Sequence, residues 1–250
     1  MGLFDRFKGS GGAVDRSPLK GTPAGKWADR MERRVQNYDR QEAIDALAAM
    51  ATADAAEALL KRFTFHIDPS ITDQEEKDAA FRGILRAGTQ AIEPVRAFAA
   101  KAESLAWAMK IVKALLSESE YVEELLRWLS KWDTEYSKFV DPKLQILVEL
   151  QEHTHPEICA GVERFLEDVN EPARFHAVSA LLAQESPSVT PALVNLLIED
   201  ESVRVRRKIA EGLSSRRWVV DESMRAGVRK ELPREFALDA SGHIAKAAQY

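Results

Sequence analysis

The chain contains a single cysteine, Cys159, among 250 residues, so no internal disulfide holds it together. It also lacks any run approaching the roughly 20 apolar residues that span a bilayer. Its amino terminus has no long apolar segment followed by a cleavage site. These absences lead to the expectation of a soluble cytoplasmic protein in a reducing compartment. No stretch of helical length alternates with period two, which argues against a sheet-built core. The sequences G-x-S-x-G, G-x-G-x-x-G and H-E-x-x-H and the P-loop are all absent, so no catalytic residue is assigned, and the chain reads as a non-enzymatic protein without a cofactor.

What is present is a recurring helical signature. A basic residue is followed at i+3 by a small or β-branched one, at i+6 by a small one and at i+7 by an aliphatic. The clean copies are Arg40/Ala43/Ala46/Leu47, Lys77/Ala80/Gly83/Ile84, Arg174/Ala177/Ala180/Leu181 and Arg206/Ile209/Gly212/Leu213. Two copies depart from the pattern: Lys143/Ile146/Glu149/Leu150 has Glu at the small position, and Leu105/Ala108/Ile111/Val112 lacks the basic residue. The starts are 37, 28, 38, 31 and 32 residues apart, a period that marks a stacked array of helical units.

Helices of 10 to 15 residues are expected in pairs, with breaks at Thr52-Ala53-Asp54, Gly88, Ser117, Thr154-His155-Pro156, Ser186-Pro187 and Ser214. Two connections are longer than a tight turn requires: His66 to Gln74 and Asp133 to Pro142. Residues 1–26 read as a flexible tether whose first eight residues, MGLFDRFK, place Leu3, Phe4 and Phe7 on one side of a short turn. That peptide is a candidate anchor, to a protein or weakly to a membrane surface. From Trp27 a helical stripe of Trp27, Met31, Val35 and Tyr38 opens the array, which runs over 27–232. Residues 233–250 are a cap or a tail, with a hairpin around Asp239-Ala-Ser-Gly242 as one form and a frayed end as the other.

The runs NEPARFHAVSALLAQESPSVTPALVNLLIED and DESVRVRRKIAEGL, over 170–213, resemble HEAT-like repeats of the short type also found in phycobilisome-lyase proteins. The resemblance implies a right-handed α-solenoid of about six helix-turn-helix units whose second helices line a concave surface that holds another macromolecule. The reading is therefore a bacterial, cytoplasmic scaffold or adaptor for a protein partner. Some HEAT-like proteins are bilin lyases and others DNA glycosylases, and these are the enzymatic alternatives.

Charge separates the alternatives. The net value of −5 hides 9 Lys and Arg against 5 Asp and Glu over residues 1–40, 15 against 28 over 41–200, and 10 against 5 over 201–234. An acidic body is a poor surface for a phosphate backbone, which argues against nucleic acid as a partner. Only the basic group from Arg204 to Lys230 suits an anion, with Arg207 and Arg217 as its candidate readers. The other candidate surface is the helix EYVEELLRWLSKW over 120–132. Its apolar arc is wider than one packing stripe, with Tyr121, Trp128 and Trp132 along an aromatic edge and Tyr136 in the loop beyond. Those rings serve either as interface anchors or as core beneath the 133–142 loop with Phe139. Glu152, His153, His155 and Cys159 form a weak metal pattern: Pro156 interrupts the spacing and no further cluster completes a ligand set, so no metal is assigned.

Overall fold

The computed structural model describes residues 19–247, which are mostly helical with little strand, as the all-α reading expects. They form two compact units. The first takes the described residues up to Lys101 together with Lys110–Leu115, and the second takes Ala102–Met109 and the described residues from Leu116 onward.

The first unit contains α1 (Gly25–Ala28), α2 (Asn37–Met50), α3 (Ala53–Leu60), α4 (Ser70–Arg86) and α5 (Ile92–Ala99). Ala51 turns left-handed (φ 51°) and ends α2, while the Thr52 side chain accepts the Ala55 N–H and starts α3. The expected stripe over 27–38 is not one helix. After a 3-10 turn at Asp29–Met31 the backbone extends at Glu32, and Arg40 takes the Val35 carbonyl as an acceptor. Met31 is buried, but Tyr38 is 82% exposed. Packing also begins earlier than the expected boundary at 27, since Leu19 and Ala24 are buried.

The next helix, α6 (Ala106–Leu115), is divided between the two units. The second unit continues with α7 (Glu118–Leu129), α8 (Asp141–Leu150), α9 (Ile158–Val162), α10 (Glu171–Ala183), α11 (Thr190–Glu199), α12 (Val203–Arg216) and α13 (Arg225–Glu231). Ser117 and Glu120 form a reciprocal capping box at the start of α7. The last residues form a hairpin and not a frayed tail: β1 (Phe236–Leu238) pairs antiparallel with β2 (Ile244–Lys246), Leu238 opposite Ile244. Phe236 and Ile244 are buried, and Arg225 ties the turn by donating to the carbonyls of Val220, Ala240 and Ser241.

The structure gives each signature position a physical role. In all six copies the i+3 and i+7 residues are buried: Ala43 and Leu47, Ala80 and Ile84, Ala108 and Val112, Ile146 and Leu150, Ala177 and Leu181, Ile209 and Leu213. The small i+6 position permits close approach. At Gly212 an added Cβ would fall 2.3 Å from a Leu182 methyl, and at Gly83 it would fall 2.8 Å from Ala48 and Leu59.

The basic position clasps the end of a helix pair. In the second unit Lys143 donates to Asp168 (2.5 Å), Arg174 forms a two-point pair with Asp200 (2.7 and 3.0 Å), and Arg206 donates to Glu231 (2.9 Å). Asp168 and Asp200 each stand just past a helix end, and Glu231 closes α13. A cation there offsets both the carboxylate and the negative end of the helix dipole. The same aspartates turn the chain into the next helix: Asp168 accepts the Asn170 N–H and Asp200 the Ser202 N–H, while Asn170 and Ser202 cap α10 and α12.

The first unit uses a denser version of this device. Glu76 lies between Arg40 (2.7 Å) and Arg62 (2.6 Å), and Asp73 between Arg62 (2.7 Å) and Lys77 (2.6 Å), all largely buried. Three cations thus face two carboxylates. The excess is absorbed by acceptors: the carbonyls of Val35, Phe65 and Asp73, the Asn37 amide oxygen, and His66 Nδ1, 3.0 Å from Lys77. Burial pushes the Asp73 carboxyl up, but hydrogen bonds from Lys77, Arg62 and the Ile67 N–H outweigh it and hold Asp73 well below the usual carboxylate range.

Removing one partner of a fully buried pair leaves an uncompensated charge, so Asp168→Ala is expected to cost about 3–5 kcal/mol in urea unfolding. The double change Lys143→Met with Asp168→Leu should recover most of that loss; equal destabilisation of the two variants would show that the charges contribute nothing to each other. Because the folded value of Asp73 is depressed, its stabilisation is fully present above its unfolded value of about 4 and is lost as the pH falls further. Melting temperatures measured down to pH 2 should therefore fall more steeply in acid for the wild type than for Asp73→Asn.

Candidate functional site

Helix α10 packs against both α8 and α12, and these three are the first members of their pairs. Their i+3 and i+7 signature residues face inward, so other positions form the opposite surface: Gln151 and Glu152 after α8, Ser179, Leu182 and Ala183 on α10, and Lys208, Glu211, Gly212, Ser215 and Arg216 on α12. Ser179, Ala183 and Ser215 are small, and the missing volume leaves an open groove of about 430 Å³. This falls within the range of ligand-binding clefts. The resemblance placed the binding surface on second helices, whereas this groove lies on first helices.

The charges along the groove differ in how they are engaged. Arg216 is held by Glu185 (2.6 Å) and the Gly212 carbonyl, while its Nε is buried without an acceptor. Arg204 lies 3.7 Å over the Phe175 ring and is fixed there by Glu171 (3.0 Å). Lys208 is half-buried, with its ammonium 5.8 Å from the same ring, and makes no hydrogen bond or ion pair with any described residue. Burial first and the Arg204 charge second lower the pKa of His176, which is therefore neutral near pH 7 and sits 3.0 Å from Gln151 Nε2. The two serine hydroxyls are occupied on their own helices: Ser179 donates to the Phe175 carbonyl and Ser215 to that of Gly212.

The aromatic candidates divide. Tyr121 (1% exposed) and Trp128 (4%) are core residues, which corrects their reading as partner anchors. Their helix has a wide apolar arc because α7 packs against both α8 and α9. Tyr121 meets His153 edge-on at 5.4 Å, and burial together with Glu149 pushes its phenol above the ordinary tyrosine range. The rings are not covered by Phe139, which is 61% exposed, nor by Tyr136, which is 83% exposed. Trp132 is half-buried beyond the end of α7, its carbonyl accepting from Arg164.

Arg207 pairs with Glu235, so it is already engaged, while Arg217 is an exposed left-handed residue closing α12. Leu3, Phe4 and Phe7 lie outside the described residues. No group of three or more His, Cys, Asp or Glu able to hold a metal occurs among the described residues. His153 is shared between Glu118 and Glu149, His155 meets Ser119, and burial and Glu163 raise the Cys159 thiol.

Sequence reasoning had placed Lys208 in the basic group but missed Gln151 and Ser179. The available signal was the run of small residues on one face of α10 and α12. It becomes legible only once those two helices are known to be neighbours. No family model, curated protein or solved structure matches the chain, so the functional reading rests on this geometry.

With Trp128 in the core, Trp128→Ala should destabilise the protein by about 3–5 kcal/mol. Trp128→Phe should cost much less, because the indole N–H has no acceptor to lose. Urea unfolding distinguishes this from an interface role, in which Trp128→Ala would leave stability unchanged.

Proposed function

We propose that the chain is a HEAT-like α-solenoid acting as a non-enzymatic cytoplasmic scaffold of a bacterial cell, and that it holds a protein partner in the groove of α8, α10 and α12. The even spacing of the clasps supports the architecture: the basic members stand at 143, 174 and 206 and the acidic members at 168, 200 and 231, steps of 31 or 32 residues in both series. A repeated unit that buries its own charges supplies a rigid surface, which lowers the ordering cost of binding.

The observation that carries the functional reading is Lys208, a half-buried lysine lining an open groove and making no hydrogen bond or ion pair with any described residue. A half-buried cation is disfavoured in isolation and gains from an incoming acceptor. The groove's chemistry favours holding over reacting. Its two serine hydroxyls donate to carbonyls of their own helices, so neither is paired with a base that would activate it. Tyr136 and Phe139 offer a further exposed apolar contact on the loop after α7.

Ser215 is exposed and lines the groove, so Ser215→Trp should fill it without disturbing the core. Affinity capture from native lysate, with and without residues 1–26, should lose its partner in this variant by about tenfold or more, equivalent to roughly 1.4 kcal/mol. Circular dichroism and melting temperature should be unchanged. Equal capture by wild type and Ser215→Trp would overturn the groove as the binding surface.

A further inference from the structure

We infer that the groove recognises a basic peptide: a short segment of a protein partner that presents one Arg or Lys side chain to Glu152 and Glu211 and a main-chain carbonyl to Lys208. The inference rests on the scaffold reading and adds the chemistry of the segment that is held.

Charge balance is the first support. The charged residues lining the groove are Glu152, Lys208, Glu211 and Arg216. Arg216 is already matched by Glu185 (2.6 Å). The side chains of Glu152, Glu211 and Lys208 make no hydrogen bond or ion pair with any described residue, and both glutamates are exposed. Two carboxylates therefore stand against one ammonium, and an occupant with a single positive charge balances the groove.

The helix ends are the second support. Gln151 and Glu152 follow the last residue of α8, Leu182 and Ala183 are the last two of α10, and Ser215 and Arg216 the last two of α12. The groove thus runs beside the carboxy-terminal ends of three helices, where unpaired carbonyls carry the negative end of the helix dipole. Neither α8 nor α10 has a basic residue in its last turn. Neutral amides serve there instead: Gln151 donates to the Leu147 carbonyl (3.2 Å), and Gln184 to those of Ala180 (3.1 Å) and His153 (2.8 Å). An amide satisfies a carbonyl without offsetting the field of the helix. A cation in the groove therefore gains from the ends of α8 and α10 as well as from the two glutamates.

Lys208 narrows the class of cation to one carried on a peptide. Its half-buried ammonium needs oxygen acceptors. An acidic side chain would supply them but would face Glu152, Glu211 and the negative helix ends. A main-chain carbonyl supplies one without adding negative charge, and every peptide residue brings one beside its side chain. Ser179 and Ala183 are small enough to leave room for that main chain. A guanidinium, with five N–H donors, has enough for both carboxylates.

The test uses the full chain and short acetylated, amidated Ser/Val peptides identical except for a central Arg, Gln or Glu. Binding is read by NMR shifts of the Ala183 and Ser215 amides. The Arg peptide should bind about tenfold tighter than the Gln peptide, with the Glu peptide weakest, and added salt should shrink the preference. Glu152→Gln combined with Glu211→Gln should remove most of the preference at unchanged melting temperature, because neither carboxylate has an internal partner to lose. Lys208→Gln should keep the preference. Equal binding of Arg and Gln peptides, tightest binding of the Glu peptide, or a preference left intact by the double glutamine variant would each overturn the assignment. So would the absence of binding by any peptide, while the scaffold reading is judged separately by the Ser215→Trp capture.

Discussion

The second unit depends on one repeated interaction, the buried or part-buried clasp between a cation near the start of one helix and a carboxylate at the end of a following helix pair. Lys143–Asp168, Arg174–Asp200 and Arg206–Glu231 are three instances of it. Each clasp carries out two tasks. It compensates charge at a helix end, and in the two aspartate clasps it holds the carboxylate that accepts a backbone N–H where the chain turns. Burying two ions costs several kcal/mol, which their attraction returns only when geometry and extra hydrogen bonds are good. The gain is therefore in register more than in net stability. A helix pair that slipped by one residue would strand a cation in apolar surroundings. The network of Arg40, Arg62, Glu76, Asp73 and Lys77 does the same in the first unit with more members.

The groove follows from how these clasps and the small signature positions share the helix surface. With Ala177, Leu181, Ile209 and Leu213 packed inward, α10 and α12 lie close enough that Gly212 touches Leu182. The remaining face carries small residues in both helices, so two cylinders in contact leave a channel between them. Arg204, Arg206, Arg207 and Arg216 each pair with a glutamate, whereas Lys208 makes no hydrogen bond or ion pair with any described residue.

Much of the architecture was legible in the sequence because helical period and burial are tied by geometry. A residue at i+3 or i+7 from a buried anchor faces the same side, and all six copies obey this. Chain breaks were readable where Thr52 and Ser117 accept backbone N–H groups, since capping needs only local chemistry, whereas the break expected at Ser214 falls inside α12. The aromatic helix misled for a related reason. A wide apolar arc signals contact on two sides but not whether the second side is another helix or a partner. For Tyr121 and Trp128 it was another helix. The stripe from Trp27 to Tyr38 failed because periodicity says nothing about the backbone at Glu32, where the chain extends.

The sequence by itself determined the mostly helical character, the inward-facing positions and the excess of basic residues over 201–234. These depend on contacts within a turn or two of one helix, where spacing along the chain equals spacing in space. Only the tertiary structure decided which cations are spent and which is left. Arg174 meets its acid 26 residues away, Arg206 after 25 and Arg207 after 28. Pairing over such distances is set by how helices stack, so a count of basic residues could not single out Lys208 and the packing of α10 against α12 could.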